Sequence, residues 1–227
     1  MRKLIAAMLL MVMVLSLFGC SVVMDPPPEN VRGDISTAAP TQSPTEPTPG
    51  FSLGQTEDNV YKNDFLGMTC TLPADWTFYT DEQILELNNI VVDTMNDDVA
   101  QMLENATIVY DMYAMHPTEG SSINVNLEKF TGLQILAMDI KQVLESQIEA
   151  IRSTYQNMGL TDIEIQYQKV TVDGKEFDSL KISGNMQGVG LYATCFAFKK
   201  GTYLANVSVC TIAEDKTADI LACITIK

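Results

Sequence analysis

Hydrophobic patterning changes twice along the 227 residues. Leu4 to Phe18 is an apolar run without a charge, and Ser21 to about Thr56 has almost no apolar periodicity. From Asn59 onward, alternation of period two and stripes of period 3.6 take turns to the end of the chain, the signatures of strands and helices. Asn59-Val60-Tyr61 predicts a short strand, Asn63 to Gly67 a turn, and Met68 to Leu72 a second strand with Met68, Cys70 and Leu72 on one face. Pro73 ends it, because proline has no donor for a ladder. Thr107 to Met115 and Ser121 to Leu127 predict an antiparallel pair; in the second, Ile123, Val125 and Leu127 alternate with Asn124, Asn126 and Glu128. Four further strands follow: Ile163 to Val172, Glu176 to Ser183, Val189 to Lys199 and Thr202 to Ile212, with turns at Asp173-Gly174 and Lys200-Gly201. Val189 to Lys199 sets Tyr192, Phe196 and Phe198 against Leu191, Ala193, Cys195 and Ala197, so both its faces are expected to be covered.

The helical stripes lie between the strands. Thr80 and Gln83 have the spacing of a capping box, and Ile84, Leu87, Val91, Met95, Val99 and Met102 continue it to about Glu104, with Asn96-Asp97-Asp98 as an alternative break. A second helix is expected over Ala137 to Asn157, with Gly132 as an earlier start, along Ile140, Leu144, Ile148, Ile151 and Tyr155; Gly159 stops it. Asp215 to about Cys223 predicts a closing helix. The expected class is α+β: a mostly antiparallel sheet flanked by helices on both faces, an α/β/α sandwich.

The front of the chain reads as an address. Arg2 and Lys3 precede the apolar run, which is short against the roughly 20 residues a membrane span needs. Leu17-Phe18-Gly19-Cys20 then resembles a lipobox, the signal at which a bacterial prolipoprotein is acylated on cysteine and cut before it, although Phe18 is larger than the residue usual there. Residues 1–19 are expected to be a lipoprotein signal peptide and Cys20 to carry lipid such as palmitate, which places the protein on the extracytoplasmic face of the cell membrane. Residues 20–56, with Pro26-Pro27-Pro28 and a Ser/Thr/Pro stretch from Ser36 to Pro49, are expected to form a disordered tether. At about 3.1 Å per residue in polyproline II, it would reach on the order of 100 Å. A globular domain is expected over 57–227.

Charge narrows the partners. The net charge is −15, and loss of Arg2 and Lys3 makes the mature chain more acidic still. Such a protein should not bind nucleic acid, and bare anionic lipid should repel it. Of five cysteines, Cys70, Cys195, Cys210 and Cys223 remain after lipidation. Counting out from Lys200-Gly201 places Cys195 opposite Ala205 or Asn206, not Cys210, so buried free thiols are favoured over a bridge, with a Cys70 pairing as the alternative. No C-x-x-C is present.

Little catalytic chemistry assembles. His116, the only histidine, is expected to be an exposed loop residue beside Pro117. Asp93, Asp97 and Asp98 read as a solvated helix face, since a calcium loop needs a glycine at its turn. Trp76, Phe78 and Tyr79 could line a groove, with Trp76 the better candidate for a core plug. No Walker loop, dinucleotide fingerprint or G-x-S-x-G occurs, so no catalytic residue, cofactor or metal is assigned.

The stretch Asn63-Asp64-Phe65-Leu66-Gly67-Met68-Thr69-Cys70-Thr71-Leu72-Pro73-Ala74-Asp75-Trp76 resembles the opening of PsbP-like domains, a group that includes the extrinsic photosystem II protein and bacterial lipoproteins, and whose fold a Ran-binding import factor shares. The resemblance implies an antiparallel sheet flanked by helices. It carries over no functional residue. The expected function is a non-catalytic binding or accessory module, its partner an envelope protein or a small ligand. The alternatives are an envelope hydrolase using paired carboxylates and a structural or assembly factor of a membrane complex.

Overall fold

The computed structural model describes residues 51–88 and 106–227. Cys20, most of the expected tether, the continuation of the first long helix and Asp93, Asp97 and Asp98 lie outside the described residues.

The described chain forms two antiparallel sheets with helices. In order the elements are β1 (Gln55–Glu57), β2 (Val60–Asn63), β3 (Met68–Thr71), β4 (Thr77–Phe78), α1 (Asp81–Leu87), β5 (Ile108–Met115), β6 (Ser122–Lys129), α2 (Gly132–Ala137), α3 (Ile140–Asn157), β7 (Thr161–Val172), β8 (Lys175–Met186), β9 (Val189–Lys200), β10 (Tyr203–Ile212), α4 (Thr217–Leu221) and β11 (Ile224–Ile226). The large sheet runs β4-β5-β6-β10-β9-β8-β7; the small one runs β1-β2-β3-β11. The expected α+β class is what the chain adopts.

Period-two alternation decides which residues meet. On one face of the large sheet, Ile123, Val125 and Leu127 of β6, Ala205, Val207 and Val209 of β10 and Phe196 of β9 form a single buried cluster with Tyr61, Met68, Cys70, Ile224 and Ile226 of the small sheet and Ile220 and Leu221 of α4. This is the main core. On the opposite face, Leu144, Ile151 and Tyr155 of α3 pack against Leu180 and Ile182 of β8 and Ala193 and Cys195 of β9. Helices therefore cover both faces, and the small sheet supplies most of the layer beside α4.

Local chemistry explains the elements. Thr80 and Gln83 form the expected capping box, with each side chain bonded to the other residue's backbone N–H. Asp173-Gly174 has positive φ at both positions, the geometry of a two-residue hairpin turn that follows the strand twist.

Several expectations need correction. The β9–β10 turn is Gly201-Thr202, with Lys200 paired to Tyr203, so Cys195 lies opposite Ser208 rather than Ala205 or Asn206. The expected second helix is two helices, because Asp139 accepts from the N–H of Gln142 at 3.2 Å and starts α3 afresh. The expected closing helix shortens to α4, and the chain then returns as β11 to pair with β3. The packed chain also begins before residue 57: Phe51 stacks on Tyr203 with ring centroids 4.8 Å apart, and β1 pairs with β2. Isolated apolar residues in a Pro/Thr-rich stretch give no periodicity to detect.

Candidate functional site

The site grows from one irregular residue. The register between β5 and β6 shifts between Tyr110 and Met112, a bulge that leaves Asp111 outside the ladder. Asp111 is buried and accepts three hydrogen bonds: from the Gly54 N–H at 2.6 Å, from the Tyr61 hydroxyl, and from Asn63 Nδ2 at 2.6 Å. Asn63 Nδ2 also donates to the Ser52 carbonyl, and Asn63 Oδ1 accepts from the Leu66 N–H. Burial pushes the Asp111 carboxyl above its ordinary value, while the three donors oppose that shift. The network fastens the incoming chain to the large sheet. Gly54 is required there: a Cβ would sit 2.2 Å from the buried Tyr61 ring.

Beside this network runs a groove. One cavity, about 280 Å³, is lined by residues that include Gly54, Tyr79, Asp81, Ile84, Asp111 and Tyr113. A second, about 480 Å³, is lined by residues that include Asp58, Trp76, Phe78, Tyr79 and Asp81, and the two share Thr56, Tyr79 and Asp81. Tyr79 and Tyr113 form an aromatic wall with ring centroids 4.3 Å apart. Of the three expected aromatics, Trp76 is buried in the main core and also borders the groove, while Phe78 and Tyr79 line it.

One strand inward from Tyr113 the large sheet turns polar. On its α3-bearing face, β6 presents Ser122, Asn124, Asn126 and Glu128, and β10 presents Asn206 and Ser208; all six are buried. Asn124 is the register partner of both Tyr113 and Ser208. Asn206 Nδ2 donates to Asn126 Oδ1 at 3.1 Å. Asn124 Oδ1, Asn126 Nδ2, Ser208 Oγ and the Tyr155 hydroxyl of α3 have no hydrogen-bond partner among the described residues. Most buried polar groups in folded proteins are paired, so these four atoms mark hydrogen-bonding capacity that the described residues do not use. At the end of the row, burial pushes the Glu128 carboxyl up to about 7.

His116 corrects the sequence expectation: it is buried, not exposed. Its Nδ1 accepts from the Glu119 N–H at 3.1 Å, which leaves Nε2–H to donate to Asp75 Oδ2 at 3.1 Å. Thr118 Oγ1 lies 3.3 Å from the same Nδ1. The four cysteines of the domain are free thiols. Burial pushes Cys70 and Cys210 up to about 12 and Cys195 to about 11, well away from reactive thiolates. Among the described residues, no three His, Cys, Asp or Glu side chains cluster as a metal site.

Sequence reasoning did not single out Asp111, Glu128 or the Asn/Ser row. Asp111 left one signal, a lone acid in an otherwise apolar strand. Asn124, Asn126 and Glu128 carried the polar half of an alternation that ordinarily faces water.

No protein-family profile matches the chain, and no curated protein matches it. Among solved structures, the chain is similar to LpqN, involved in cell envelope biogenesis of Mycobacterium tuberculosis, at 13% identity and a TM-score of 0.40, over 70% of this chain and 83% of that one. It is also similar to a structure from Bacteroides thetaiotaomicron VPI-5482 at 10% identity and a TM-score of 0.34, over 71% of this chain and 45% of that one. Likeness at this level carries no argument about activity.

Proposed function

We propose that this chain is a lipid-anchored, extracytoplasmic binding module, held to the membrane through Cys20 and presenting the groove at Tyr79, Asp81 and Tyr113 to a polar or cationic ligand. The anchor is supported by Arg2-Lys3, the uncharged run to Phe18 and the lipobox-like Leu17-Phe18-Gly19-Cys20, followed by a Pro/Ser/Thr-rich tether. The resemblance of the 63–76 stretch to PsbP-like domains, a group with many lipoproteins, agrees with that placement. The binding role is carried by one observation: the unpartnered Asn124, Asn126, Ser208 and Tyr155 atoms begin one strand inward from the aromatic groove wall. Asp58 and Asp81 on the groove favour a cationic or hydrogen-bond-donating ligand over an anion.

The hydrolase alternative has one observation in its favour, since Asp81 and Asp111 line the same cavity. Asp111, however, uses both carboxylate oxygens to hold the fold, which disfavours it as a nucleophile or mobile base.

Two experiments test the proposal. Fatty-acid labelling of cells should mark the wild-type chain and be lost in Cys20→Ala; labelling that persists sinks the anchor. A photocross-linker in place of Tyr79 should capture a ligand or partner from intact cells, whereas the same group at exposed Glu176, on the far strand β8, should not. Equal capture at both positions removes the groove from the account.

A further inference from the structure

We infer that α2 is a second membrane contact, a foot whose exposed leucines insert among anionic phospholipids and orient the domain; this rests on the lipid anchor proposed above. In α2, Ile135 turns inward among Ala197 and Leu204, while Leu133 and Leu136, three residues apart on the outer side, are 83% and 81% exposed. They are by far the most exposed large apolar side chains among the described residues. Thr131 and Gln134 close a capping box, so the turn that displays them is set locally.

Two independent observations say what these leucines meet. First, the incoming tether reaches the same pole. Phe51 stacks on Tyr203, Tyr203 is the register partner of Lys129 and Lys200, and the N–H of Phe130, at the entry to α2, donates to the Thr202 carbonyl at 2.8 Å. Phe51, the first described residue after the tether, therefore packs at the same end of the large sheet as α2, on the opposite face. Second, cations gather here on an otherwise acidic protein. Lys199 Nζ donates to the carbonyl of Met138, the C-cap of α2, at 2.6 Å; Lys129 lies with its ammonium 5.9 Å from the Tyr203 ring centroid; Lys200 is adjacent in register. Among the described residues, the acids at this end are Asp139, whose side chain caps α3, Asp64, paired with Lys62, and the buried Glu128. A chain of net charge −15 is repelled by an anionic bilayer in most orientations. This pole meets it with lysines around an apolar tip, the composition that suits headgroups and the acyl boundary.

The test uses the full lipidated chain in a Cys223→Ser background, with Leu133→Cys carrying an environment-sensitive fluorophore and Gln187→Cys, in the β8–β9 turn at the far end of β9, as the comparison. In phosphatidylglycerol vesicles holding spin-labelled lipid, emission at position 133 should shift to the blue and be quenched; that at 187 should do neither. Leu136→Asp should abolish the quenching at 133, and phosphatidylcholine vesicles should weaken it. Unquenched emission at 133 overturns the foot, as does a blue shift without quenching, which would mean that protein covers the leucines. Equal quenching in both lipids removes the lysines from it. Flotation with the vesicles separately reads the anchor: a chain that floats with 133 unquenched keeps the anchor and loses the foot, and one that neither floats nor is quenched loses both.

Discussion

Tyr61 and Tyr155 are both buried to 1% exposure or less, and burial raises the pKa of both hydroxyls far above the ordinary value. They differ in what they meet. The Tyr61 hydroxyl donates to Asp111 inside a closed network that also binds Gly54 and Asn63. The Tyr155 hydroxyl has no partner among the described residues and sits in one apolar cluster with Cys195 and Cys210, beside an Asn/Ser row with unpartnered atoms of its own. A buried hydroxyl without a partner costs stability, whereas one that donates into a closed network contributes to it. The contrast assigns the Asp111 network to stability and leaves the Asn/Ser row to the binding role proposed above.

The strongest way to break that contrast is Asp111→Ala. It strands the Gly54 N–H, the Tyr61 hydroxyl and one Asn63 donor together, and should cost about 3–5 kcal/mol in denaturant unfolding. A loss below about 1 kcal/mol would mean that the network is not a fastening.

Glu128 sharpens the other side. Its folded carboxyl titrates near 7 against an ordinary 4.5, so the folded state favours the protonated form. Its stabilising contribution is therefore full below pH 4.5 and is lost as pH rises through about 7. Glu128→Gln should match wild type at pH 4 and exceed it at pH 8 by about 1–2 kcal/mol, after discounting for residual solvent contact. Parallel unfolding curves at the two pH values check this, and a variant weaker than wild type at pH 8 would show that the carboxylate has a stabilising partner.

Ser208→Ala has the smallest expected effect. It deletes an unpartnered hydroxyl and should leave stability unchanged or raise it by up to about 1 kcal/mol. Its consequence should instead be weaker capture of ligand by the cross-linker at position 79.

Much of this fold was legible because its long elements state their period plainly. The Ile123-Val125-Leu127 alternation, the Asp173-Gly174 turn and the Thr80/Gln83 box each led to the right element. The misses share a cause: tertiary contacts chose among local options. Nothing in Ile224-Thr225-Ile226 alone says that it will pair with β3, and the bulge at Asp111 leaves no mark beyond a lone acid in an apolar strand. The break before α3 could have been read, because Asp139 is an acceptable cap in the middle of the stripe. The Thr131/Gln134 box that starts α2 could have been read as well. The candidate site was hardest to see. Asn124 and Asn126 look like the solvent half of a strand, and only the structure shows them buried.

The most direct test of the division between closed network and open row compares the unfolding free energies of Tyr61→Phe and Tyr155→Phe. Each removes one buried hydroxyl and almost no volume. Tyr61→Phe should lose about 1.5–3 kcal/mol, the value of a hydrogen bond to a charged group, and Tyr155→Phe should be unchanged or gain up to about 1 kcal/mol. Equal losses, or a larger loss at Tyr155, would contradict the account.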